Sequence, residues 1–424
     1  MIKKRVIGII ITGLFINTCS TVKTVQNTTD QIQAVITVRN PIPIDRMDEA
    51  FFLDNDQLPV TVDPISNTFH FIENGSEVPF QLVDKNKDGI NDGFLLVTDF
   101  RGGEVKMITI DTTSKPEHLK IFKPRVQAEL SVKQGGEFVG RVYQGGNFKN
   151  IQFLDVPPEH TDHSFYIRYE GPGWESEKIG YRFYLDWRNA IDIFGKQQPE
   201  LILQTVGLDG FDSYHEMSDW GMDILKVSSS LGIGSVGTWY DGKVNMVSKV
   251  ERTTCEIIEN GTLRAAVRTQ YFNWKVGDTV CDITSVLSIT AGSRLTRHDL
   301  TTKPIMDNLC TGIVKHPSAT IIVPDQIEGK WTYFATWGKQ SLAEDNLGMA
   351  ILYCKDELIR QTEDDNSEII VLAPEQGILT YYFLAVWAGE QDGINSETKF
   401  IEYLDRVVTC INKPLELKSS NIRN

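Results

Sequence analysis

LRAAVRTQYFNW at 263–274 and SVLSITAG at 285–292 decide the fold class. Both repeat with a period of two and are rich in Val, Ile, Thr and aromatic residues, the pattern of strands with one face toward a core. Working outward, the same reading fits AVITVRN (34–40), FHFIENG (69–75), GFLLVTDF (93–100), VKMITID (105–111), RVQAELSVK (125–133) and YRFYLDW (181–187). Gly, Asn, Asp and Pro turns separate them at short intervals, so the chain is expected to be all-β. One helix stands out near the end. Phe400, Tyr403, Leu404, Val407, Val408 and Ile411 form an apolar stripe of period 3.6, with Asn395 and Ser396 as caps and Pro414 as the stop. Its apolar face is expected to pack on a sheet.

With 424 residues the chain exceeds one compact core, and two domains are expected. Lys123–Pro124 is the expected boundary between a small N-terminal β-sandwich (34–124) and a large β-sandwich (125–414) of the wide, two-sheet, galactose-mutarotase-like kind. No repeat of fixed period points to a propeller or solenoid. GxGxxG, Walker and GxSxG motifs are absent, which disfavours nucleotide enzymes and serine hydrolases. No cofactor is expected.

The N-terminus reads as a targeting signal. Lys3, Lys4 and Arg5 precede VIGIIITGLFI, which is too short for a permanent span, and Cys19 follows in a relaxed lipoprotein cleavage box with Thr18 before it. Residues 1–18 are therefore expected to be a signal peptide and 19–33 a polar tether lipidated at Cys19. No acidic run follows Cys19, which favours an outer-membrane anchor facing the periplasm. The whole chain carries net −15, and cleavage would take it to about −18. That argues against nucleic acid as a partner, and an anionic glycan would need a local basic pocket. No protein partner is implied. Cys255, Cys281, Cys310, Cys354 and Cys410 show no CxxC spacing, so buried thiols with at most one or two disulfides are expected and a zinc site is not.

Against that acidic background, HSFYIRYEGPGWESEKIGYRFYLDWRNAIDIFGK (163–196) carries five basic and five acidic side chains interleaved with Trp174, Tyr181, Tyr184 and Trp187. YHEMSDWGMDILKVSSSLGIGSVG (214–237) follows. Aromatic faces beside charged hydrogen-bonding groups suit a sugar bearing a carboxylate or sulfate; a network of buried ion pairs is the bland alternative. If YRFYLDW is a strand, Arg182, Tyr184, Asp186 and Arg188 share one face, and Tyr181, Phe183, Leu185 and Trp187 the other. The first face could grip a carboxylate through an arginine fork, or form a salt-bridge ladder. His215, in a loop between Tyr214 and Glu216, is the expected proton-transfer group, with Asp223 or Lys226 nearby to orient it. Trp174, Trp220 and Trp239 are expected sugar-stacking platforms, with core packing the commoner use of any tryptophan. Asp84, Asn86, Asp88, Gly89 and Asp92 match part of a calcium loop, but Leu95 replaces the bidentate Glu, so a hairpin turn is the default. His160 and His163 would come together only in a turn or helix, and no metal is expected.

GPGWESEKIGYRFYLDWRNAIDIFGK (171–196), SYHEMSDWGMDILKV (213–227) and SLGIGSVGTWYDGK (230–243) resemble the signature blocks of an uncharacterised-domain family of bacterial lipoproteins, typically encoded beside polysaccharide-degrading enzymes. The similarity runs from about Val35 to about Thr409. A characterised activity within that family is ulvan oligosaccharide dehydration, so the resemblance implies a carbon–oxygen lyase that removes water from a non-reducing-end uronic acid. That chemistry needs a cation on the carboxylate (Arg188 or Arg182), a base for H5 (His215) and an acid for O4 (Tyr181 or Tyr184). Trp174, Trp220, Arg182 and Lys226 would line the substrate. The alternatives are a glycoside hydrolase using two carboxylates such as Glu175 and Asp219, and a non-catalytic glycan-binding lipoprotein.

Overall fold

The computed structural model describes residues 33–58, 68–85, 88–113, 122–210, 213–391 and 393–421. The signal, Cys19 and the tether up to residue 32 lie outside these residues, as does Asn86, while Gln33, expected in the tether, opens the first strand.

The long alternating segments become the centre of a nine-stranded antiparallel sheet. Its neighbours run Phe153–Asp155, Arg252–Asn260, Arg264–Val276, Thr279–Thr290, Thr296–Lys303, Ile378–Trp387, Asn346–Cys354, Trp331–Lys339 and Ala319–Ile322. Opposite lie two five-stranded sheets, one built on Ile179–Phe183 and Ile191–Lys196, the other on Leu309–Val314 and Ser367–Leu372. Bridges from Ile191 to Gly232 and from Ile233 to Ile313 join the two into one layer. Between the layers sits a single core that includes Trp174, Tyr181, Ile193, Val267, Leu287, Met349 and Phe383. Period two then sorts each strand's side chains. In Asn346–Cys354, Leu347, Met349 and Ile351 enter this core, while Ala350 and Leu352 face the helix Glu397–Asn412 on the other side. The helix buries Phe400, Leu404 and Val408 there, as its stripe requires, and Ser396 caps it by accepting the Lys399 N–H. Among the described residues no helix is long and apolar enough to cross a membrane.

A smaller sandwich precedes this one. Its five-stranded sheet includes Gln33–Arg39 and Val105–Thr113, and its three-stranded sheet is Arg46–Asp54, Gly93–Phe100 and Phe80–Val83. Edge-to-face phenylalanines fill the space between, with Phe94 against Phe69 and Phe71. GFLLV at 93–97 is an unbroken apolar run because both its faces are covered. Phe94 and Leu96 face this core, whereas Leu95 and Val97 face the large one.

The two sandwiches share that contact, and residues 32–424 cluster as one compact unit. The last strand, Glu416–Asn421, returns to pair with Gln33–Arg39. Both ends of the described chain therefore belong to the small sandwich, and its sequence is split rather than confined to 34–124. The Asp84–Asp92 turn satisfies its own backbone: Asp84 accepts from the Gly89 N–H, Asp88 from Ile90 and Asp92 from Lys85. That is the hairpin reading. All five described cysteines are free thiols.

Candidate active site

YRFYLDW divides at the strand surface much as its alternation requires. Ile179–Phe183 pairs with Ile191–Lys196 in a register that sets Arg182 directly opposite Asp192. Tyr181 and Phe183 point into the inter-sheet core, and Arg182 points to the opposite face. That outer face is covered by Tyr169, Ile202, Leu203, Val206, Tyr214 and Trp220, from the segments on either side of the hairpin. With Phe194 they form a second small apolar cluster.

Arg182 is the centre of the buried charge. Its Nη2 lies 2.8 Å from Asp192 and 2.5 Å from Asp223, and it donates to the Tyr184 hydroxyl at 2.7 Å. Nη1 donates to the Tyr214 hydroxyl at 2.9 Å. Tyr184 in turn donates to Asp192 at 2.6 Å. Burial, and then the charge of Asp223, push Asp192 up to about 7.

His215 sits at the rim of this network. The Gly221–Asp223 strand brings Asp223 beneath it, with Nε2 3.3 Å from the carboxylate, and the ring remains 39% exposed. Gly221 is required here: its φ is 126° and a Cβ would fall 1.8 Å from the Gly195 carbonyl oxygen. The hydrogen bond to Asp223 holds the His215 pKa above its ordinary value against the opposing effect of burial. Asp223, not Lys226, is thus the orienting partner. Lys226 is exposed and makes no ion pair among the described residues.

Strand geometry ends at Phe183, so Asp186 and Arg188 reach the same side through a turn in which Asn189 takes φ 44°. Arg188 is heavily engaged. It clasps Asp186 through Nε at 3.0 Å, meets Glu170 at 3.0 Å and Asp162 at 3.0 Å, and stacks 3.8 Å over the Tyr184 ring. Burial favours a protonated Glu170, but Arg188, Arg182 and the His163 backbone N–H outweigh it and hold its pKa below the usual range. Gly171 lets this loop approach the strand, since a Cβ there would lie 1.6 Å from the Phe183 carbonyl oxygen.

The backbone of the cover is strained where it meets the site. His163, Phe165, Tyr169 and Glu170 have φ of 56°, 56°, 37° and 70°. Each such residue costs about 1–3 kcal/mol, and strain of this kind concentrates at functional sites. His163, Phe165, Tyr169 and Glu170 line a shallow hollow beside the charged network.

Several expected site residues belong elsewhere. Tyr181 is completely buried, donates to the Arg294 carbonyl at 2.8 Å and accepts from the Ala385 N–H, so it can neither touch a sugar nor act as the acid. Trp174 is equally buried, stacked on Tyr181 with its N–H on Thr296, and offers no platform. Glu175 is sealed beneath the cover, where it holds Lys196 at 2.7 Å and two backbone N–H groups, while Asp219 is exposed; they do not form a hydrolase pair. Trp220 is half-buried edge-on to Phe194, and Trp239 carries Arg360 over its ring.

Asp162, His163 and Glu170 bring ligand atoms within 4.8 Å of one another, a set that could hold a cation. Arg188 already supplies positive charge to both carboxylates. His160 is buried against Ser164, its pKa lowered by burial, and does not join His163 in a ligand pair. Glu170, Asp192, Tyr214 and Asp162 were not anticipated as parts of the site. The opposition of Arg182 and Asp192 across a short hairpin was the available signal.

No curated protein matches the chain. Solved structures to which it is similar include a protein in glycosyl hydrolase family 38 from Enterococcus faecalis, with a TM-score of 0.45 and 9% identity over 92% of this chain and 48% of that one. An α-mannosidase from the same organism gives a TM-score of 0.45 and 10% identity over 92% and 46%. The chain spans about half the length of each. Residues 38–417 match the domain of unknown function DUF4861, a span that takes in both sandwiches and every residue of the site, and the chain belongs to that family.

Proposed function

We propose that this protein is a carbon–oxygen lyase that dehydrates the non-reducing-end uronic acid of acidic, ulvan-type oligosaccharides by β-elimination. The observation that carries the reading is His215: a partly exposed imidazole backed by a buried carboxylate, beside a buried arginine network. Nδ1 takes H5, the C5–H electron pair forms the C4=C5 bond by way of an enolate-like intermediate, and the C4–O bond breaks. When H5 and O4 lie on one side of the ring, the same imidazolium returns the proton to O4, and water leaves. Tyr184 holds Arg182 and Arg188 in place; its phenol is buried and already donates to Asp192, so it does not reach O4.

Arg188 neutralises the substrate carboxylate and so stabilises the enolate, a contribution of about 10²–10³ in rate for one well-placed donor. The uronate would replace the half-exposed Asp162 at Nη1. Arg188→Lys keeps the charge but loses the planar fork. It is expected to weaken binding and turnover of a uronate roughly 10²-fold while leaving binding of the carboxyl-reduced sugar unchanged. An equal penalty on both ligands would make Arg188 a structural ion-pair residue. A hydrolase reading has lost its carboxylate pair to the burial of Glu175.

The anchor is part of the same proposal. Lipidation of Cys19 would place the enzyme on the outer membrane, facing the periplasm. Cys19→Ala should then move it from the membrane to the soluble fraction, and unchanged partitioning would refute the anchor.

A further inference from the structure

A cavity of about 770 Å³ lies away from the His215 site. It is a cleft between the start of the Arg46–Asp54 strand, the turn at Gly292–Leu295 and the C-terminal helix. Lys178 at its wall precedes the Ile179–Phe183 strand, whose far end carries the Arg182 network. The five strand residues Ile179–Phe183 separate Lys178 from Tyr184, roughly 20 Å at strand spacing. The volume falls in the range that holds small ligands and short oligomers.

The charges around this cleft balance in number, five carboxylates (Asp45, Asp48, Glu49, Glu177 and Glu390) against five cations (Arg46, Arg125, Lys178, Arg294 and Arg406), but they are unevenly paired. Asp48 is held at 2.8 Å by Arg125, which Glu177 shares, and Glu49 is held by Arg46 at 2.7 Å. Glu390, behind the wall, is bound by the Nε of Arg294 at 2.9 Å. Asp45 accepts the Gly102 N–H. Lys178 and Arg406 are exposed, and neither has an ion-pair partner among the described residues. Among the described residues Lys178 and Arg406 are therefore the cations of the cleft that no carboxylate holds, and Asp45 the one carboxylate that no cation holds. The aromatic component is Tyr403, which lies between Arg294 at 5.7 Å and Arg406 at 5.5 Å, and Tyr382, edge-on to Trp331. Both tyrosines are half-buried, with part of the ring facing the cleft.

We infer that this cleft is a second, non-catalytic binding site for acidic oligosaccharide. Lys178 and Arg406 would meet carboxylate or sulfate groups, and the tyrosine edges that line the cleft would pack beside the sugars. The ligand class rests on the proposed function; the existence of an anionic-ligand site rests on the cleft alone. Such a site would keep a long acidic chain at the protein while its end is processed elsewhere.

The test measures binding by calorimetry of an oligogalacturonate hexasaccharide, a heparin-derived hexasaccharide and neutral maltohexaose, using His215→Ala protein to prevent turnover. The acidic probes should bind saturably and the neutral one should not. Lys178→Ala with Arg406→Ala should weaken acidic binding at least about tenfold, the loss expected on removing hydrogen bonds to charged groups. Both side chains are exposed, so the melting temperature should hold. Tyr403→Ala, made separately, should weaken the same binding. With His215 restored, the Lys178/Arg406 double variant should dehydrate a disaccharide at the wild-type rate. Failure of binding, or binding that the double variant leaves unchanged, overturns the cleft whatever the fate of the lyase reading. Loss of turnover in the His215 variant with cleft binding intact separates the two sites. Absence of turnover in the wild type, with cleft binding intact, removes the lyase and keeps an acidic-glycan site.

Discussion

Arg182→Ala is expected to cost about 3–5 kcal/mol of folding stability, the price of leaving buried carboxylates uncompensated. Arg182 is 1% exposed and faces Asp192 and Asp223, themselves 1% and 0% exposed. Without it, neither acid retains a cation within ion-pair distance apart from the imidazole of His215. The same change removes the hydrogen bonds that Arg182 donates to Tyr214, Tyr184 and Asp192, so the loss is not one contact but the organisation of the site. Denaturant unfolding with an unchanged slope would measure it. Asp192→Asn in the Arg182→Ala background should recover part of the loss, since it removes one of the orphaned charges. A loss below about 1 kcal/mol would fall in the range of surface pairs and would mean that water reaches the cluster.

His215→Ala is expected to lower turnover about 10²–10⁴-fold, the usual contribution of a general acid–base group, with little loss of stability because the ring is 39% exposed. The pH dependence fixes the role. As a base His215 must be neutral, so the rate should rise with pH through a pKa above the ordinary 6.5. Asp223→Asn removes the hydrogen bond that raises this pKa and should move the rise to lower pH. Stability runs the other way. A histidine whose folded pKa is raised contributes stability that is fully present below its unfolded pKa and is lost as pH rises through the folded value. The His215–Asp223 pair should therefore support the fold at mildly acidic pH and contribute nothing on the alkaline side. A folded His215→Ala protein with near wild-type turnover would remove the residue from the mechanism.

Much of the fold was legible because burial on a sheet is a property of alternate residues. The alternation in 263–274 and 285–292 marked both as strands, which the structure pairs in one sheet, and the 3.6-residue stripe from Phe400 to Ile411 marked a helix packed on a sheet, which proves to be the back of that one. The same rule separated Tyr181 from Arg182. It failed at Tyr184, where the strand ends in a turn that depends on the positive φ of Asn189, a conformation that no periodicity encodes. Return of Glu416–Asn421 to the first strand was also illegible, because a pairing across nearly the whole chain leaves no local trace. The site was half legible. His215 and Arg182 stood out as unusual residue types in their context, and Asp223 as one of two possible partners. Glu170 and Asp162 did not, because the cover reaches Arg188 only through the left-handed residues His163 and Glu170 and the close approach at Gly171. Trp174 and Tyr181 misled for the opposite reason: they lie within the charged segment, but the pleat turns them inward.

Elimination is the central proposal, and product analysis tests it most directly. Pure protein is incubated with acidic algal oligosaccharides ending in a non-reducing uronic acid, and the products are weighed by mass spectrometry while ultraviolet absorbance is followed. Dehydration predicts an oligosaccharide of unchanged length, lighter by one water, together with the absorbance of a conjugated unsaturated uronate, both lost in His215→Ala. Shorter fragments that have gained water, with no new absorbance, would mean hydrolysis and would contradict the account; so would an unaltered substrate.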